Sequence, residues 1–273
     1  MGNRTADPFS GATPERVQLH SAPLVRVLAQ VRFPKIIKIA SEQHIGDFQE
    51  AVRGSYPFIE RNAAQSLQVN FESGGVQSST TEEVIWRLFD KSKQWRASLH
   101  SSALTLETSR YSSRTEFLDR FRFLLEAVSA TIHPSIASRV GFRYVNRIAR
   151  PQDLLDLERL VQSDLIGLLS APLKNNIELS VSQAQCATEE GRLLVRWGLL
   201  PAGATHDPDM APPVNDRSWI LDIDSFTTGD VLSDNFQPDV IVEKTNLMAD
   251  RAYAFFRWSV TPDFIERFRG NGK

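Results

Sequence analysis

The 273-residue sequence predicts an α+β fold of two pseudo-equivalent halves, each an antiparallel sheet covered by a long helix. Three observations point there. The order strand, helix, antiparallel meander, long helix occurs twice along the chain. The strands that open the two halves share a texture, "VRVLAQVRFP" beside "SRVGFRYVNRI". The junctions leading into the long helices also match loosely, "LTLETSRYSSRTEF" beside "WILDIDSFTTGDVL". Only His133-Pro134 separates the halves. The expectation is therefore residues 21–134 and 135–273 packed as one unit, behind a disordered tail of residues 1–20.

The first half opens on "LVRVLAQVRF". Val25, Val27, Ala29, Val31 and Phe33 alternate with Arg26, Gln30 and Arg32, which makes a strand closed by Pro34. A helix follows, with Ser41 at the N-cap position and Ile45, Phe48 and Val52 at helical spacing; Gly54 and Pro57 end it. Four strand-like runs come next, "SLQVNFES", "EVIWRLFD", "WRASLHSS" and "ALTLETSRY", with a hairpin turn at Gly74-Gly75. "SSRTEFLDRFRFLLEAVSATIHP" is the clearest helix. Ser113 and Glu116 form a capping box, and Phe117, Phe121, Leu124, Leu125 and Val128 one apolar stripe.

The second half begins with the strand "RVGFRYVNRI", residues 139–148, followed by a helical stretch from Pro151 to Leu169. "NIELSVSQAQC", "RLLVRWGLLP" and "SWILDIDSF" read as strands, the last two separated by the Pro/Gly-rich loop 201–217. A final helix spans Pro238 to Trp258. This half lacks one convincing strand, or hides it in the loop.

Composition narrows the function classes. Lys+Arg 31 against Asp+Glu 33 gives a net charge of -2, which speaks against broad nucleic-acid coating and leaves room only for a local basic patch. The single cysteine, Cys186, excludes an internal disulfide and a cysteine-based metal knuckle, and fits a reducing cytoplasm. No apolar run approaches the roughly 18 residues of a membrane span, and the N-terminus lacks the apolar segment of a secretory signal. A cytoplasmic protein is expected.

The stretches "PLVRVLAQVRFP", "WRASLHSSALTLETSRYSSRTEFLDRF", "RVGFRYVNRI" and "LDIDSF" together resemble a sporadically distributed bacterial protein family of unknown function and similar length. The likeness spans nearly the whole chain after the tail. It implies no catalytic residue and no substrate. The family's patchy distribution implies a setting in mobile elements or defence islands.

The search for chemistry finds no G-x-S-x-G elbow, no Walker-type loop and no G-x-G-x-x-G. Cys186 reads as a small buried hydrophobe in a strand. The five histidines show no zinc spacing. Asp222 and Asp224 lie two apart on one strand face, a spacing with which two carboxylates bind Mg²⁺ beside a phosphate. Outward alternation from Leu221 and Ile223 explains them more simply. His206, Asp207 and Asp209 sit in the loop, where acidic groups ordinarily meet water. The five tryptophans read as core and sheet-edge packing.

The arginines are the most distinctive feature. Strand alternation places Arg139, Arg143 and Arg147 on one face, away from Val140, Phe142, Tyr144 and Ile148. Asn146 alternates to the other side, where it can tie down backbone. Arg143 and Arg147 offer planar donors suited to phosphate or carboxylate. With Arg26 and Arg32 of the first strand near a pseudo-twofold axis, they form a candidate basic ligand patch. Pairing with acidic neighbours is the plainer explanation.

Without a catalytic constellation, the leading expectation is a binding protein, using no cofactor, that recognises a partner protein or a small anionic ligand. The loop 201–217 is long enough for recognition, and deleting residues 203–214 is expected to leave the thermal transition largely intact. One alternative is a metal-assisted enzyme on a phosphate-containing substrate, with Arg143 and Arg147 on the phosphate and Asp222 and Asp224 on the ion. It requires these groups on one face. The other is a nucleic-acid-binding module with salt-sensitive affinity.

Overall fold

The computed structural model describes residues 7–10, 13–72, 75–229 and 235–270, with the side chains of 64–82 left aside. Nine strands belong to one sheet, not to two separate ones. The reason lies in the first strand, β1 (Leu24–Arg32). It has a neighbour on each side, so no open edge remains there to divide the strands into two sheets. The chain divides into two compact units. Unit 1 holds residues 1–28, 141–228 and 245–273; unit 2 holds 29–140 and 229–244. The sequence boundary at 134 is thus crossed by three segments, the N-terminal 28 residues, 135–140 and 229–244.

Unit 2 contains α1 (Glu42–Val52), β2 (Phe58–Glu72), β3 (Gly75–Phe89), β4 (Trp95–His100), β5 (Ala103–Thr108) and α2 (Arg114–Thr131). Its strand order is β2-β3-β4-β5-β1. The first two expected runs are two long strands of 15 residues each, paired antiparallel from Phe58↔Phe89 to Glu72↔Gly75. The expected turn residue Gly74 lies outside the described residues. α1 buries Ile45, Phe48 and Val52, as its spacing requires. Ser113 caps α2, its Oγ accepting from the Glu116 amide at 3.1 Å, while the Glu116 carboxylate accepts from Ser112 Oγ and Arg120 rather than closing a full capping box. Its stripe of Phe117, Phe121, Leu124, Leu125 and Val128 is buried, with Phe117 5.6 Å from the Trp95 ring.

Unit 1 contains β6 (Arg139–Ile148) from Gly141 on, β7 (Ser180–Ala187), β8 (Gly191–Leu200) and β9 (Ser218–Thr227), in the order β1-β6-β9-β8-β7. The helical stretch expected over 151–169 breaks into α3 (Pro151–Leu155), α4 (Leu157–Leu160) and α5 (Ser163–Ile166). Val161 and Gln162 leave helical dihedrals, and Gly167 takes φ +54°, so no single helix can run through. The long helix α6 (Pro238–Ser259) enters unit 1 at Thr245. There Ser225 Oγ donates to Met248 Sδ at 3.5 Å, which sets α6 on the sheet face that also carries Phe142 and Tyr144.

Two features lay outside the sequence reading. α7 (Pro262–Arg269) starts at Thr261, whose Oγ1 accepts from the Phe264 amide at 3.2 Å, and buries Phe264 and Phe268. Described parts of the stretch read as a disordered tail are held. Phe9 stacks on Phe255 at 6.2 Å, and its carbonyl accepts from Arg251 at 3.0 Å. Tyr253 Oη accepts from the Val17 amide at 2.8 Å, and the Ser21 amide donates to the Phe268 carbonyl at 3.1 Å. Among the described residues, no helix is long and apolar enough to cross a membrane.

Candidate functional site

The site grows from the alternation of β6. Phe142 and Tyr144 point to the α6 face, their rings 4.8 Å apart, while Arg143, Val145 and Arg147 point to the other. Asn146, on the α6 side, donates to the Leu221 carbonyl of β9 at 3.3 Å and so ties one strand to the next. In the antiparallel register Arg143 lies opposite Asp224 and Val145 opposite Asp222, so both acids share the face of the arginines. On the far side of β9, Arg196 of β8 lies opposite Asp222.

A diagonal neighbour two residues away is within reach of a long side chain. Arg143 accordingly grips Asp222 with a two-pronged contact, Nε to Oδ1 at 2.7 Å and Nη2 to Oδ2 at 2.6 Å. Its Nη1 reaches Asp207 Oδ2 of the 201–217 loop at 3.0 Å. His206, the preceding loop residue, places Nε2 2.7 Å from Asp222 Oδ2. The Asp222 side chain is 3% exposed, that of His206 8% and that of Arg143 15%. Burial alone pushes the Asp222 carboxyl up. The hydrogen bonds and charge brought by Arg143, with the bond from His206, outweigh it and hold Asp222 below the ordinary aspartate value. Burial likewise pulls the Arg143 guanidinium down, and Asp222, Asp207 and Asp224 together raise it above the ordinary arginine value.

Two further arginines of unit 1, Arg147 and Arg26, serve the same loop. Arg147 Nη2 donates to the Ala211 carbonyl at 3.0 Å and Nη1 to the Pro212 carbonyl. Burial lowers its pKa. Arg26 Nε donates to the Met210 carbonyl at 3.4 Å. Between these polar anchors Met210 and Ala211 are buried against Val145, with Val25 and Leu28 packed alongside. The loop closes on itself at its neck, where the Gly203 amide donates to the Val214 carbonyl at 2.8 Å. Gly203 adopts φ +74°, the left-handed region open to glycine. Inside, the Ala211 amide donates to the Asp207 carbonyl at 2.8 Å, and the Met210 amide to Asp207 Oδ1 at 3.3 Å. The segment is an Ω-loop whose inner side is a plug in the sheet face.

This arrangement relocates each residue singled out from the sequence. Arg26, Arg143 and Arg147 do converge, but on the loop's carbonyls and acids. Arg32 belongs to unit 2, where its Nε donates to Gln30 Oε1 at 2.9 Å, an oxygen that Arg139 also approaches at 3.5 Å. Asp222 and Arg143 share a face, as an enzyme on phosphate requires. Asp222, however, has both oxygens engaged by Arg143 and His206, so a metal would have to displace one of them. Among the described residues, no group of three His, Cys, Asp or Glu side chains is placed to hold an ion. His206 and Asp207, expected in water, turn inward. The second nitrogen of His206, Nδ1, is buried with no hydrogen-bond partner among the described residues.

The loop's inward turn had one signal in the sequence: Met210-Ala211, an apolar pair in an otherwise polar, proline-rich stretch. Its outer side is different. Asp209, Pro212, Pro213, Asn215 and Asp216 are exposed. No protein-family model matches the chain, and no curated protein matches it at a significant level.

Proposed function

We propose that this is a non-enzymatic binding protein that recognises a partner protein through the outer surface of the 201–217 loop. The observation that carries the reading is the loop's anchorage: Arg26, Arg143 and Arg147 fix its carbonyls and Asp207 to the sheet. A loop already held in one conformation loses little freedom on binding, so its exposed Pro212, Pro213, Asn215 and Asp216 can contribute to affinity without a large ordering cost. The same anchorage weighs against the small-anion version, because the whole Arg143 guanidinium and both terminal nitrogens of Arg147 are committed to the protein itself. It also weighs against the metal-assisted phosphate enzyme, whose Asp222 is already engaged. A nucleic-acid role draws no support from the net charge of -2. The cytoplasmic location and the defence or mobile-element setting belong to this proposal as well.

Capture of partners from the native host by the wild-type chain and by a Pro212→Ala/Pro213→Ala/Asp216→Ala variant tests the reading. The variant is expected to lose binding by roughly thirtyfold, the equivalent of about 2 kcal/mol for a hot-spot loss, with an unchanged melting curve. Equal capture by both proteins would remove the loop surface from consideration.

A further inference from the structure

We infer that the outer edge of β7 is the contact through which two copies of this chain pair, strand against strand. β7 ends the sheet. Among the described residues it is hydrogen-bonded on one side only, to β8, from Ser180↔Leu199 to Ala187↔Arg192. That register runs without interruption over eight residues, so alternate backbone N–H and C=O groups point outward along the whole strand.

Sheet edges are ordinarily protected by a lysine, a proline, a bulge or a covering segment. β7 reads Ser-Val-Ser-Gln-Ala-Gln-Cys-Ala, with no charge, no proline and no bulge. Val181, Ser182, Gln183 and Gln185 are exposed, and so is Leu179 just before the strand.

The occupant follows from the strand's self-complementarity. Two identical antiparallel strands related by a twofold axis form an isologous contact. Centred on Gln183, the pairing sets Gln183 against its own copy, Ser182 against Ala184, Val181 against Gln185 and Ser180 against Cys186. No like charges meet, and the flanking Glu178 falls opposite Thr188. Gln183 is fixed for this role: its Oε1 accepts from Arg196 Nε at 2.6 Å, leaving the amide N–H groups to face the axis. The pairing extends the sheet across the axis and covers Leu179 and Val181.

Native mass spectrometry and light scattering of the full chain over a concentration series test the inference. The wild type is expected to populate a dimer. Gln183→Lys and Gln183→Glu, each placing like charges across the axis, are expected to be monomers with wild-type melting curves, and an equimolar mixture of the two to recover the dimer. Should loss of the Arg196 contact lower the melting temperature, Ser182→Lys replaces them as the charged edge. A wild type that stays monomeric at every concentration overturns the inference and leaves the edge to a strand from another protein. A dimer that survives all the edge charges also overturns it, because the copies then meet elsewhere.

Discussion

Asp222→Ala is expected to lower the stability of the fold by about 3–5 kcal/mol, the range for removing one partner of a buried ion pair. The variant leaves Arg143, whose side chain is 15% exposed in the wild type, to Asp207 and Asp224, and it deprives His206 Nε2 of its partner. Urea unfolding read by circular dichroism measures the loss. Asp263→Ala serves as the contrast, since the Arg159–Asp263 pair is 71% and 47% exposed and is expected to contribute about 0–1 kcal/mol. The pH dependence has a definite sign. Asp222 is held below its unfolded value of about 3.9. Its contribution is therefore fully present above that value and is lost as pH falls through the lower folded value. The wild type should lose stability in this acid window, and the variant should lose less.

Met210→Ala is expected to cost about 2–5 kcal/mol, as truncation of a buried methionine does. Met210 is 4% exposed, and it fills the space over Val145, which is fully buried. By the same reasoning, deletion of residues 203–214 no longer leaves the thermal transition intact, contrary to the sequence expectation. It uncovers Val145, removes the carbonyl acceptors of Arg147 and takes Asp207 from Arg143. A midpoint for Met210→Ala indistinguishable from wild type would show that the loop does not pack on the sheet.

Much of this was legible in the chain because local periodicity and tertiary burial agree. The alternation of residues 139–148 assigned the two faces of β6 correctly, and Ser113 with Glu116 marked the start of α2. Asp222 and Asp224 were placed on one face by their spacing, and the register set them on the face of Arg143. What periodicity does not carry is the partner of a polar side chain. Arg143 and Asp222 are 79 residues apart, and His206 meets Asp222 across a loop with no repeating pattern. The proline and glycine content of 201–217 signals a loop but not which way it folds. Similarly, the N-terminal stretch shows no amphipathic pattern, because its contacts are scattered ones: Phe9 on the Phe255 ring, the Phe9 carbonyl on Arg251 and the Val17 amide on Tyr253 Oη. α7 lay outside the sequence reading although Thr261-Pro262 carries its start signal, an N-cap followed by proline at the first helical position.

The anchorage of the loop by arginines is tested most directly by amide hydrogen exchange at Gly203, Met210 and Ala211, whose N–H groups bond within the loop. In the wild type these amides are expected to be protected. In an Arg143→Ala/Arg147→Ala variant they should exchange close to the rate of an unstructured peptide, while the β8 and β9 amides remain slow. Wild-type loop amides that already exchange freely, or protection that survives loss of both arginines, would contradict the anchorage and return the arginine face to the list of open ligand sites.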